Sequence, residues 1–157
     1  ADTLGYNVGI GGTVVEDWLY AYDRLVAPFE PGKIVLFLGG NNVNNLGDSG
    51  EATAKLLAEL LEKMHADFPE AEIYYVLSLP VPNNFAHGVY TTEYGNLIEC
   101  MKAYGEQNDW LTVIDMEDAL TENGEPIAEY FRSDGIHMTA AGYAVWSAII
   151  NEVVFGK

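Results

Sequence analysis

Cysteine, cations and long apolar runs are all scarce in this sequence, and each scarcity excludes something. Cys100 is the only cysteine, so no disulfide can form within the chain. It lies mid-pattern in a helical stretch beside Met101, the setting of a buried, inert thiol rather than a nucleophile. Lysine and arginine number 7 against 24 aspartates and glutamates, a formal net charge of −17. A surface this acidic repels phosphate backbones and anionic lipid, which disfavours nucleic acid and membrane surfaces as partners. The acids are scattered rather than blocked and read as solvated faces. No run of about 18 apolar residues occurs, so no membrane span is expected. No signal peptide is visible, and location is left open. What remains is an ordinary globular composition, 49% hydrophobic over 157 residues. That length suits one domain, residues 1–157, around a single core.

Short apolar runs alternate with runs of helical period. Residues 5–10, 33–38, 72–78 and 111–115 are strand candidates, each followed by turn or polar residues. Between them, Val15, Trp18, Leu19, Tyr22, Leu25 and Val26 recur at helical spacing, with Thr13 and Glu16 as a capping box. Leu56, Leu57, Leu60, Leu61 and Met64 form a second stripe, with Asp48 and Glu51 placed to cap it. Tyr94, Leu97, Ile98, Met101 and Tyr104 form a third. Trp146, Ile149, Ile150 and Val153 form the last, with Thr139 as its cap. Core packing accounts for all four stripes. Strand-helix repetition predicts βαβ units and a three-layer α/β/α sandwich on a parallel sheet. In such sheets the site lies outside the carboxyl ends of the strands. Three unusual segments fall there: Gly11-Gly12-Thr13, Gly39-Gly40-Asn41-Asn42, and the stretch from Asp134 to His137.

His137 is the best general-base candidate, because imidazole titrates near neutrality and can take a hydroxyl proton and return it. Asp134, three residues earlier, could accept from the other ring nitrogen and fix the tautomer. Alone, the same pair suits a loop leading into a helix cap. His65 reads as an exposed helix end and His87 as a loop residue. Gly12 precedes a helix, where a backbone N–H favours developing negative charge. Asn41 offers a side-chain amide after a strand. Together they could form an oxyanion hole; separately, a tight turn and a loop role explain them as well. The segment 80–90, with Pro82, Asn83, Asn84, Phe85 and His87, follows the third strand and is placed to shape a substrate pocket.

Taken together, these segments resemble the SGNH hydrolases, the GDSL-like esterase/lipase family. Asn7-Val8-Gly9-Ile10-Gly11-Gly12-Thr13 looks like the second of its four sequence blocks, whose last glycine donates to the oxyanion. Gly39-Gly40-Asn41-Asn42 looks like the third, G-x-N-D, whose asparagine is the other donor. Asp134-Gly135-Ile136-His137, followed by residues 139–143, looks like the last, which carries acid and base. Asn42 stands where the third block has an aspartate. The first block, a strand ending in G-D-S with the nucleophilic serine, has no counterpart. Gly47-Asp48-Ser49 spells the tripeptide but has no strand before it, so Ser49 reads as a helix start; Ser78, Ser133 and Ser147 have no better claim.

The resemblance implies a flavodoxin-like fold, N-terminally truncated and without its first strand. It implies a serine esterase of small acyl esters, acetyl groups on carbohydrate among them, whose serine lies outside this chain. Asp134 and His137 would be catalytic, Gly12 and Asn41 the oxyanion hole, and Asn42 and Asn83 substrate contacts. No metal or organic cofactor is implied. The rivals are a carbohydrate O-acyltransferase and an inactive binding module on the same fold. The absent strand would lie between residues 5–10 and 33–38. The slot is expected to hold an N-terminal piece or a strand of a second copy, or to close by direct pairing of the flanking strands.

Overall fold

Three short strands, β1 (Lys33–Leu36), β2 (Glu72–Val76) and β3 (Leu111–Ile114), form a parallel sheet in the order β1-β2-β3. The register sets Val35 beside Tyr74 and Leu36 beside Tyr75, then Tyr75 beside Val113 and Val76 beside Ile114. The computed structural model describes residues 5–86 and 90–157, without the side chains of residues 90 and 91. Because side chains alternate across a strand, the apolar runs split between two cores. Ile73, Tyr75, Leu77 and Leu111 join one cluster, and Tyr74, Val76 and Ile114 join the other.

Helices cover both faces. The first cluster is closed by α1 (Val15–Leu25), α2 (Gly50–Asp67) and α4 (Gly95–Gln107), through Tyr22, Leu57, Leu61 and Met101. The second is closed by α5 (Glu117–Leu120) and α6 (Ala140–Phe155), through Leu120, Ile150 and Val154. The short α3 (Pro82–Ala86) follows β2, so this part of the predicted pocket loop is helical. A two-residue hairpin joins β4 (Thr121–Glu122) to β5 (Glu125–Pro126). Its turn residues Asn123 and Gly124 both have positive φ, 54° and 80°, as a type I′ turn requires. No helix among the described residues is long and apolar enough to cross a membrane.

The expected strand over residues 5–10 does not form. These residues are irregular and largely exposed, and among the described strands β1 pairs with β2 alone. Apolar composition made the run look like a strand, but a strand needs a partner for its backbone groups, and none of the described strands offers one. Direct pairing of the two segments flanking the expected slot is therefore not how the sheet closes. Among the described residues no strand pairs with the outer edge of β1, and Val35 and Phe37 are exposed.

Two helix starts also differ from expectation by one residue. At α1 the Asp17 carboxylate accepts from the Val14 N–H at 3.0 Å, while Thr13 accepts from the Trp18 indole at 2.9 Å. At α2 the cap is Ser49, whose Oγ accepts from the Ala52 N–H at 3.1 Å. Glu16 and Asp48, the residues expected in these caps, are drawn instead to Asn42. Cys100 is half-buried rather than buried. His65 is half-buried too, its ring stacked on Trp110 with centroids 4.4 Å apart. His87 lies outside the described residues.

Candidate active site

Asp134 and His137 sit at the tip of a small tied loop. Phe131 and Met138 form an antiparallel bridge. Within it the Arg132 N–H donates to the His137 carbonyl at 2.7 Å, and the Gly135 N–H to the Arg132 carbonyl at 2.9 Å. The turn needs Gly135 in the left-handed region, at φ 67°. Thr139 ends the loop by capping α6, accepting from the Gly142 N–H at 3.2 Å.

Asp134 organises this tip. Its Oδ1 accepts from the Ile136 and His137 backbone N–H groups, both at 2.8 Å, while Oδ2 lies 3.1 Å from His137 Nδ1. The His137 and Ile136 N–H bonds, opposed by slight desolvation and aided by the imidazole, hold the carboxyl down at about 2. It is ionised at any working pH. Its Oδ2 beside Nδ1 favours a proton on that ring nitrogen. Both side chains face water, at 67% exposure for His137 and 46% for Asp134.

Hydrogen bonds tie the other segments named from the sequence into two groups, one around Thr13, Gly40 and Asn41 and one joining Asn83 to Gly135. Gly12 is left-handed at φ 82° and leads into α1. The Asn41 Nδ2 donates to the Thr13 carbonyl at 2.9 Å, which fixes its amide against the turn after Gly12. The Tyr94 hydroxyl donates to the Gly40 carbonyl at 2.9 Å. Burial pushes that hydroxyl above its ordinary pKa, so it remains a proton donor. The Asn83 N–H donates to the Gly135 carbonyl at 2.9 Å, joining α3 to the acid–base turn. A Cβ at Gly135 would press on Asn83 at 3.3–3.4 Å, so glycine also permits this approach.

Asn42, expected to meet substrate, is instead fully buried with its carboxamide committed to Val15, Glu16 and Asp48. Asn83 is half-buried, and its described role is the backbone tie to Gly135. Tyr94 was legible only as part of a core stripe; a tyrosine in an apolar helical stripe gives no sign of where its hydroxyl points. Ser49 is taken by its helix cap, and among the described residues no serine hydroxyl hydrogen-bonds to His137. No group of three or more His, Cys, Asp or Glu side chains among the described residues could hold a metal ion.

A parallel sheet between helices, with Asp and His joined beyond its carboxyl ends, defines a hydrolase-type α/β sandwich. The sequence pattern of the GDSL-like lipase/acylhydrolase family matches residues 1–145, and the chain belongs to that family of esterase-type hydrolases. Among curated proteins no match is found. Several solved structures share the fold. A GDSL-like lipase from Bacteroides thetaiotaomicron is 19% identical, with 93% of this chain and 73% of that one covered and a TM-score of 0.77. The lipase/acylhydrolase from Enterococcus faecalis is 24% identical over 92% of this chain and 72% of that one, TM-score 0.75. A carbohydrate esterase family 3 protein from Talaromyces cellulolyticus is 17% identical over 92% and 68%, TM-score 0.76.

Proposed function

We propose that this domain is the base-bearing part of a serine esterase acting on small neutral acyl esters. The observation that carries the reading is the Asp134–His137 pair, 3.1 Å apart, with Asp134 locked by two backbone N–H groups. His137 Nε2 takes the proton of a serine hydroxyl as that oxygen attacks the acyl carbon, then returns it to the leaving alkoxide. Asp134 keeps the imidazole oriented and stabilises the imidazolium. The Gly12 N–H and the free proton of the Asn41 amide receive the oxyanion. The acidic surface favours neutral substrates, and the carbohydrate esterase with the same fold makes sugar esters the first class to assay.

The serine comes on a strand that docks along the open edge of β1. Exposed Val35 and Phe37 and the unpaired backbone of β1 support that placement. Residues 1–157 alone should hydrolyse p-nitrophenyl acetate at a marginal rate and take up no fluorophosphonate. In the enzyme with its serine, Asn41→Ala should lower kcat by about 10²–10³ with little loss of folding. Near-normal turnover of that variant would remove Asn41 from the mechanism.

A second reading, a binding module on the same fold, is favoured by Ser49, whose hydroxyl is committed to its helix cap. Coding sequence upstream of Ala1 separates the two. A strand ending in Gly-x-Ser supports the esterase, and a start codon at or near Ala1 supports the module.

A further inference from the structure

The Asn42 carboxamide, shut off from water, meets three partners on two segments, the start of α1 and the turn before α2. Its Oδ1 accepts from the Val15 N–H at 2.9 Å, one of the donors that a helix start leaves unpaired. Its Nδ2 donates to Glu16 Oε2 at 2.8 Å and to Asp48 Oδ2 at 3.1 Å. These partners fix which end of the amide is which. Reversed, the oxygen would face two carboxylates and the nitrogen an N–H. Both amide protons are used, and each goes to a carboxylate.

The backbone of the same residue closes the turn: its N–H donates to the Gly39 carbonyl at 3.1 Å, and its carbonyl accepts from the Asp48 N–H at 3.1 Å. Asn41, one residue earlier, holds the Thr13 carbonyl. Consecutive side chains thus tie the turn after β1 to the start of α1.

We infer that Asn42 is a positioning residue matched in charge to its site, its neutral carboxamide holding together the two turns that carry Gly12 and Asn41. The catalytic consequence of that positioning rests on the esterase reading; the junction itself does not. A carboxylate at this position could still accept from Val15 N–H. It would have no proton for Glu16 or Asp48, and a buried third carboxylate would face two others, Glu16 exposed and Asp48 half-buried. The titratable groups facing the position are Glu16 from α1 and Asp48 ahead of α2. Among the described ion pairs none brings a cation to either. This accounts for asparagine where the related block carries aspartate: Glu16 and Asp48 already supply the negative charge.

The test compares the 157-residue chain with Asn42→Asp and with Asn42→Asp/Glu16→Gln/Asp48→Asn. The readouts are thermal melting and the NMR signals of the Asn41 side-chain amide, from about pH 5 to about pH 8. At neutral pH the single variant should melt on the order of 10 °C below wild type. Two like charges raise the introduced carboxyl above its unfolded value, so the deficit should shrink as pH falls and grow as pH rises. The Asn41 amide signals should shift in the single variant. The triple variant should recover most of the loss and return those signals toward wild type, because its two new amides donate to the introduced carboxylate. If the single variant fails to fold, a folded triple variant supports the inference and an unfolded one overturns it. A single variant as stable as wild type throughout, or Asn41 signals that do not move, also overturns it. No readout uses ester hydrolysis, so loss of the esterase reading would leave the result standing.

Discussion

The two edges of β2 and the outer edge of β1 show what a parallel strand gains from its neighbours. Tyr75 in β2 has a strand on either side and helices over it, and its exposure is 0%. Leu57 of α2, packed into the same cluster, is also 0% exposed. Val35 in β1 is as apolar as its counterparts, yet it is 38% exposed, and Phe37 just beyond the strand is 51% exposed. Ile10, in the segment expected to be a strand, is 53% exposed. Composition is similar in both regions. The difference lies in whether helices cover the face: Leu36, in the same edge strand as Val35 but packed in the first cluster, is 9% exposed, and Ile114 in the other edge strand is 3% exposed.

The comparison can be sharpened by substitution. Leu57→Ala should cost about 2–5 kcal/mol, because the cavity it leaves is enclosed by α2, α4 and the sheet. Urea unfolding measures it, and a loss below about 1 kcal/mol would show that this side is loosely packed. Phe37→Ser should change stability by no more than about 0.5 kcal/mol in the isolated chain, since the ring already faces water. A large loss would mean that Phe37 is covered and that the open edge is closed in solution. Smallest in effect on stability is the acid–base turn, where both side chains are exposed. Asp134 is held below its unfolded value, so its contribution is present above about pH 4 and lost as pH falls toward about 2. The Ile136 and His137 amide signals should report that midpoint. Titration of those signals near the ordinary aspartate value would show that the two backbone bonds are not formed.

What could be read from sequence was what local pattern dictates. The helical stripes around Leu57, Met101 and Ile150 and the strands over Lys33, Glu72 and Leu111 follow from periodicity and emerge as elements. Residues 5–10 share that apolar pattern but not the long-range partner, and pattern alone carries no information about partners. The caps show the same limit on a smaller scale. Glu16 and Asp48 have the right type and spacing for helix starts, yet a buried amide 26 residues from one and 6 from the other claims them. Asp134 and His137 stood out because one turn brings them together, three residues apart. The ties of Asn41 to Thr13, Tyr94 to Gly40 and Asn83 to Gly135 join segments distant in sequence, and no spacing rule reveals them.

The central claim is that Asp134 holds His137 as a base with Nε2 free. The most direct measurement is long-range ¹H–¹⁵N NMR of the His137 ring in the 157-residue chain, above the pH at which the imidazole loses its charge. The account predicts a protonated Nδ1 and a bare Nε2, with the ring reverting toward a mixture of tautomers in Asp134→Ala. A ring protonated on Nε2, or a tautomer that ignores the loss of Asp134, would contradict it.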